Sequence, residues 1–361
     1  MRIAIVAGIV VAHDAISAAV VGQAQIAASI PGVETVTIFA QHIDRALPCE
    51  GRVLTDPWSL MRDPVFAEAD LVIFHWGIHY QLFDVVTLLR AEGRHCVVHF
   101  HNCTPRDLVA PGDREVIDRS IAQVQYAIGL GIPFWTFSEF NERTLADWGV
   151  DPTKLAFVPF PIDYPSFDGA VRQPGVVEIL SVGRQVPAKG TDVLIRAVAQ
   201  LDDAARNAIH VRIAGSPSFS DLGYRDMLTD IVDDNHLQEV IEFVDSPTEE
   251  ELGDLYRTSD IVVSCSFHEG LCVPIIEAYA FGCRAIGTTA GNLEFIVQDP
   301  DPRVAPGDPA ALAHAIETVV SQVLVSSYRE RSHPELVDRY SGVASRRALQ
   351  REVYRMAASP R

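Results

Sequence analysis

Short β-branched runs separated by longer helical patterns recur in two series along this chain, and that double alternation constrains the fold more than any other feature. In the first half, Ile3 to Ala7, Val36 to Phe39, Leu71 to Phe74, Cys96 to Phe100 and Phe134 to Phe137 read as buried strands. Runs that are apolar on both faces need cover on both, which predicts a parallel sheet with helices on each side. The second series comprises Val176 to Val182, Val211 to Ala214, Val240 to Phe243, Ile261 to Val263 and Arg284 to Gly287. It follows Pro161 to Pro174, a stretch rich in Pro, Asp and Gly that reads as a linker. At 361 residues the chain is long for one core. The expectation is therefore two doubly wound lobes, residues 1–168 and 169–335, with a terminal helix in 336–361 that returns to the first lobe. Ligands of such sheets sit beyond the carboxyl ends of the strands, so facing lobes would enclose a cleft.

Charge narrows the function classes. A net charge of −19 argues against broad nucleic-acid binding, which needs a basic face. The six cysteines show no CxxC or zinc-ligand spacing and lie mostly in apolar runs, as expected of reduced, buried thiols in a cytoplasmic protein. Ile3 to Ala12 is interrupted by His13 and Asp14 and preceded only by Arg2, so it reads as a first strand and not as a signal peptide. No apolar stretch is long enough to span a bilayer, so the chain is expected to be soluble or peripheral. In the terminal helix Leu349, Val353 and Met356 recur at helical spacing and predict a packed amphipathic element. Residues 328–361 hold eight Arg against four acids, and contact with an anionic membrane surface is the functional reading of that excess.

Two segments of the second lobe carry chemistry. The first, LSVGRQVPAKGTDVL from Leu180, is a strand, a turn bearing Arg184 and Lys189, and a helix start; the whole chain has only two lysines, Lys154 and Lys189. A guanidinium fork and an ammonium at a helix entrance suit a diphosphate. The second, Ser264 to Glu294, reads SCSFHEGLCVPIIEAYAFGCRAIGTTAGNLE and sets Glu269 on a loop eight positions before Glu277 on a helix. Strand, glycine turn and helix in that order point backbone N–H groups and a positive dipole end at an anion. Carboxylates beside an anion site are repulsive unless they grip hydroxyls, as of a sugar or ribose.

Together VGRQVPAKG, IAGSP, FVDSPTEEELGDLY and HEGLCVPIIEAYAFG resemble the donor lobe of the retaining glycosyltransferases of family 4, whose GT-B fold pairs two Rossmann-like domains. The resemblance covers about residues 176–300. It implies that Arg184 and Lys189 neutralise a donor diphosphate, that Glu269 meets donor-sugar hydroxyls and that Glu277 binds the ribose. It also implies amides of Gly270, Leu271 and Cys272 along the phosphates, with Gly215, Phe243 and Val244 lining the nucleotide. At Ala214-Gly215-Ser216-Pro217 the chain departs from the more glycine-rich turn of many relatives.

The first lobe matches less of the pattern, lacking the paired glycines in its opening loop. Gly8 to Ser17, Ala69 to Gly77 and His99 to Pro105 are similar to bacterial enzymes of surface-polysaccharide synthesis, several of which transfer mannose from GDP-mannose. This resemblance implies GDP-mannose as donor, with UDP-sugars open, and a glycan or lipid-linked acceptor. It implies that His101 touches the donor sugar or stabilises the transition state; His13, Asp14, Asn102 and Ser138 are acceptor-side candidates, Ser138 equally a helix cap. Strand alternation puts His99 and His101 on one face, His99 inside the strand and His101 at its end. His75, His79 and Asp84 could be read as metal ligands, but a strand-to-turn at Trp76-Gly77 spoils the spacing. Asp299-Pro300-Asp301 reads as a solvated turn, so no obligatory metal is expected. Three rivals remain: a retaining phosphorylase, a dehydrogenase disfavoured by the missing GxGxxG, and a non-catalytic sugar-binding subunit.

Overall fold

The computed structural model describes residues 1–12, 14–162, 169–171, 175–217, 221–326, 328–329 and 331–358. His13 and most of the expected linker lie outside them. The chain divides into two compact units, Met1–Asp163 with Arg339–Arg361, and Tyr164–Asp338.

The first unit is built on seven strands: β1 Arg2–Val11, β2 Thr35–Asp44, β3 Glu50–Val53, β4 Leu71–Trp76, β5 Cys96–Phe100, β6 Phe134–Thr136 and β7 Leu155–Phe157. They pair in the order β3-β2-β1-β4-β5-β6-β7, every pair parallel. The order reverses between β1 and β4, and such a switch point is where an open α/β sheet makes room for ligands. β1 runs past the expected Ala7 to Val11, pairing with β2 as far as Val11↔Asp44. β3 and β7 were not foreseen: β3 is a mostly exposed, polar edge strand, and β7 has only three residues. One face of the sheet buries Ile3, Ile5, Ile73, Val97 and Trp135 against Val20 and Ala24 of helix Ala15–Ala28 and against Leu349, Val353 and Met356. These last three lie on helix Gly342–Ala358, which thus packs on the first unit. Part of that helix's positive charge is paired, since Glu352 accepts from Arg351 at 3.0 Å and Arg355 at 2.7 Å.

The second unit holds β8 Ala170–Val171, β9 Val177–Val182, β10 Ile209–Gly215, β11 Ile241–Asp245, β12 Ile261–Ser264, β13 Arg284–Thr288, β14 Arg303–Val304 and β15 Tyr328–Arg329. Its main sheet runs β11-β10-β9-β12-β13-β14, all parallel, so the switch point falls between β9 and β12. The motif-bearing turns after β9 and β12 therefore flank the one crevice that the topology leaves open. β8 and β15 form a separate antiparallel ribbon.

Asp299-Pro300-Asp301 is not simply a solvated turn. Asp299 is exposed, but Asp301 is buried, accepting from Arg284 Nε and, at 2.9 Å, from Ala285 N. Guanidinium and amide donors offset the desolvation of its carboxylate, so the residue anchors β13. All six cysteines are free, five of them buried. Among the described residues no helix is long and apolar enough to cross a membrane.

Candidate active site

In the second unit, the loops after β9 and β12 are held together by backbone. Phe267 N donates to Ala188 O at 2.9 Å, and Gly190 lies so close that a Cβ would sit 2.3 Å from Cys265 O. With φ +63 as well, Gly190 is a position that only glycine fits comfortably. This contact brings Lys189 to Glu269: Nζ donates to Oε1 at 2.6 Å, and Ser266 Oγ donates to the same oxygen at 2.6 Å. Glu269 is buried and Lys189 partly exposed. The acid's negative charge is thus met before any ligand arrives, and among the described residues Oε2 makes no hydrogen bond.

Glu269 is pinned from behind by the turn after β13. Asn292, fully buried, donates from N to Glu269 O at 2.8 Å and from Nδ2 to Leu271 O at 3.0 Å. Gly291, at φ +59, comes so near that a Cβ would lie 2.3 Å from Glu269 O. Cys272 then adopts a left-handed conformation, φ 65 and ψ 69, as the residue before helix Val273–Ala280. A side-chain-bearing residue there is uncommon; next to a helix start it turns successive amides to one side, the geometry of an anion nest. Among the described residues the N–H groups of Gly270, Leu271 and Cys272 make no hydrogen bond to the protein.

Glu277 projects from the same helix. Tyr256 Oη donates to its Oε2 at 2.6 Å, and Tyr256 is locked by stacking on Phe281 at 5.5 Å. Burial raises the Glu277 carboxyl above the ordinary range, and the Tyr256 hydroxyl pulls it partly back. Arg184 is exposed in the turn after β9 and forms no ion pair among the described residues. Gly215 ends β10 under the Gly183 carbonyl, 2.1 Å from where a Cβ would be, so its role in the fold is close approach. Phe243 and Val244 are half-buried near the end of β11, and Phe243 lies under the Arg225 guanidinium at 5.6 Å.

In the first unit the candidates lie at the strand ends. Asp14 caps helix Ala15–Ala28, accepting from Ser17 N at 2.8 Å and Ser17 Oγ at 2.7 Å. Ser138 is fully buried and caps helix Glu139–Asp147, accepting from Asn141 N at 3.1 Å. Asn102 donates to Asn141 Oδ1 at 2.8 Å and accepts from Cys103 N at 2.6 Å, fixing the turn after β5 at φ 69.

The same sheet face that buries Ile73 and Val97 continues outward as histidines, because β4 and β5 pair His75 with His99 and alternation adds His101. His75 and His99 are buried; His101 keeps part of its surface open. His75 Nδ1 is 2.8 Å from His101 Nε2, His75 Nε2 is 2.7 Å from Gln23 Oε1, and Gln23 Nε2 is 3.0 Å from His99 Nδ1. Burial depresses all three imidazoles, His99 to about 3, so they are neutral at neutral pH. Ligand atoms of the three lie within 4.8 Å of one another, a grouping that excludes the sequence-derived partners His79 and Asp84. Asp84 instead accepts from Gln123 at 2.7 Å.

Both units have the Rossmann-like architecture of GT-B glycosyltransferases. Over 98% of this chain and all of the other, the Anabaena HepE protein crystallised with UDP-glucose superposes with TM-score 0.72 at 15% identity. WaaG, a glycosyltransferase of lipopolysaccharide biosynthesis, superposes with TM-score 0.72 at 13% identity over 99% of this chain and 100% of its own. Residues 170–332, which fall in the second unit, match the family described as Glycosyl transferases group 1. Curated relatives include D-inositol 3-phosphate glycosyltransferases. That of Kineococcus radiotolerans is 30% identical over 48% of this chain and 43% of its own length. That of Nocardia farcinica is 30% identical over 64% of this chain and 53% of its own. The chain thus spans about half the length of the curated relatives it matches.

Proposed function

We propose that this protein is a retaining hexosyltransferase that moves a sugar from a nucleoside diphosphate to an acceptor hydroxyl. The observation that carries the reading is the Lys189–Glu269 pair, fixed at 2.6 Å beside three uncommitted loop amides at the switch point of the second unit. A diphosphate takes the amides, the helix dipole and the Lys189 and Arg184 cations. Glu269 Oε2 accepts from a sugar hydroxyl, and Glu277, with one oxygen held by Tyr256, accepts from the ribose through the other. Neither acid is assigned as a nucleophile. Retention follows from attack on the face the diphosphate leaves: the C1–O bond to phosphate breaks as the C1–O bond to the acceptor forms, and a phosphate oxygen takes the acceptor proton. Position and preorganised charge supply the catalysis, without an obligatory metal. His101 contributes a neutral imidazole to a substrate hydroxyl.

GDP-mannose stands first as donor, from the resemblance of the first-lobe motifs to enzymes of polysaccharide synthesis. UDP-glucose stands second, because HepE was crystallised with it. Inositol phosphate is the acceptor that the names of the curated relatives suggest; a glycan or lipid-linked acceptor is the one that the polysaccharide resemblance suggests. Incubation with each donor and acceptor, with proton NMR of the product, tests the reading. An α-linked product from an α-linked donor agrees with it, and an inverted product defeats it.

A further inference from the structure

The amide of Gln23 determines which nitrogen His101 can offer. Helix Ala15–Ala28 follows β1 and packs on the face that bears the histidine row, so Gln23 reaches between His75 and His99 although the three are far apart in sequence. A glutamine amide accepts only through Oε1 and donates only through Nε2. With the amide in this orientation His75 Nε2, facing Oε1 at 2.7 Å, carries a proton, and His99 Nδ1, facing Nε2 at 3.0 Å, is bare; the reversed amide would exchange both. A neutral imidazole has a single N–H. His75 Nδ1 is then a lone pair, and His101 Nε2, at 2.8 Å, has to be the donor. By elimination His101 Nδ1 is that ring's acceptor.

Three imidazoles so close together, two of them buried, also invite a metal reading. Here the lone pairs of His75 and His99 are occupied by hydrogen bonds, and that of His101 has no partner among the described residues. A metal would have to break the row; the hydrogen-bonded row keeps each of these contacts, and the N–H it puts on His99 Nε2 is buried without a hydrogen-bond partner among the described residues.

We propose that Gln23 is a positioning residue which, through His75, holds His101 in the Nε2–H tautomer, so that Nδ1 accepts a hydrogen bond from a substrate hydroxyl. The functional half of this statement rests on the reading of His101 given above; the tautomer half does not. Backbone contacts aid the arrangement: His101 N donates to Trp76 O at 2.7 Å, tying the end of β5 to β4. His101 also stacks on His75, with centroids 5.0 Å apart. The ring cannot easily turn over to exchange its nitrogens.

The test is long-range nitrogen–proton NMR of the full chain labelled with 15N-histidine, His101 being assigned from the signal missing in His101→Ala. The expected spectrum has a protonated Nε2 and a bare Nδ1 at His101. In Gln23→Leu the constraint is gone, and His101 should exchange between tautomers. Release of nucleoside diphosphate from GDP-mannose or UDP-glucose should fall by roughly 10-fold or more, as expected when an imidazole is no longer held in its working tautomer, with donor affinity unchanged. A protonated Nδ1 in the unmodified protein overturns the proposal, and needs no variant to fold. An unshifted tautomer in Gln23→Leu also overturns it. A shifted tautomer with full turnover overturns the positioning role; if His101→Ala also keeps full turnover, the fault lies in the reading of His101.

Discussion

The two units place polar groups near the switch points of their sheets by opposite means. In the second unit the switch point is charged, partly open and built from backbone: glycines at 190 and 291 let chain segments touch, and an ammonium meets a carboxylate. In the first, the row on β4 and β5 beside the switch point is neutral and mostly buried, built from side chains, with one amide ordering three imidazoles. Fixed charge and free amides suit an anion whose charge grows as a bond breaks. Uncharged rings in a fixed tautomer suit a hydroxyl, for which orientation matters more than charge. The contrast teaches that one sheet topology can be specialised by what fills its crevice.

Four substitutions or conditions can break that contrast. The largest effect belongs to Gly291→Ala, which places a Cβ against the Glu269 carbonyl at a positive φ. It should cost about 3 kcal/mol or more of stability, as strained backbone and steric overlap do together, and abolish donor binding. Urea denaturation near that of the unmodified protein would refute the backbone-built description. Next, Lys189→Ala should lower turnover by roughly 100-fold, the scale of losing one preorganised stabiliser. Steady-state kinetics on a folded variant would show it, and an undiminished rate would remove Lys189 from the chemistry.

Acidification should act on the first unit. His75, His99 and His101 are depressed in the folded state, so the unfolded chain binds more protons over the window below their ordinary pKa. Stability should then be complete above about pH 6.5 and decline as pH falls through it toward His99's value of about 3. Melting points across that range check the sign; replacing His99 by Phe should flatten the slope. Smallest of all, Tyr256→Phe removes one hydrogen bond to Glu277 and should weaken donor binding by about 1 kcal/mol or a little more, measured by calorimetry.

Much of this was legible in the chain itself. Ten expected strands are present, and Cys96–Phe100 has the expected bounds, because long apolar runs between helical patterns leave few alternatives. Lys189 and Glu269, named from their motifs, do meet. What escaped was nonlocal: Gln23 lies 52 and 76 residues from the histidines it joins, and only the folded sheet brings them together. Tyr256, Ser266 and Asn292 escaped for a related reason, since an ordinary polar residue gains meaning only from the partner it finds. Asp301 was misread because proline-rich, acidic sequence looks solvated until a guanidinium and an amide are placed against it.

The central claim is that the second unit holds a nucleoside diphosphate sugar through Lys189 and the loop amides. A ligand that binds only the folded chain raises its melting point. Thermal shifts of the unmodified protein and Lys189→Ala with GDP-mannose, UDP-glucose, ADP-glucose and dTDP-glucose test the claim most directly. GDP-mannose or UDP-glucose should raise the melting point of the unmodified protein, and that rise should be largely lost in the variant. No rise with any of the four, or an equal rise in both proteins, would contradict it.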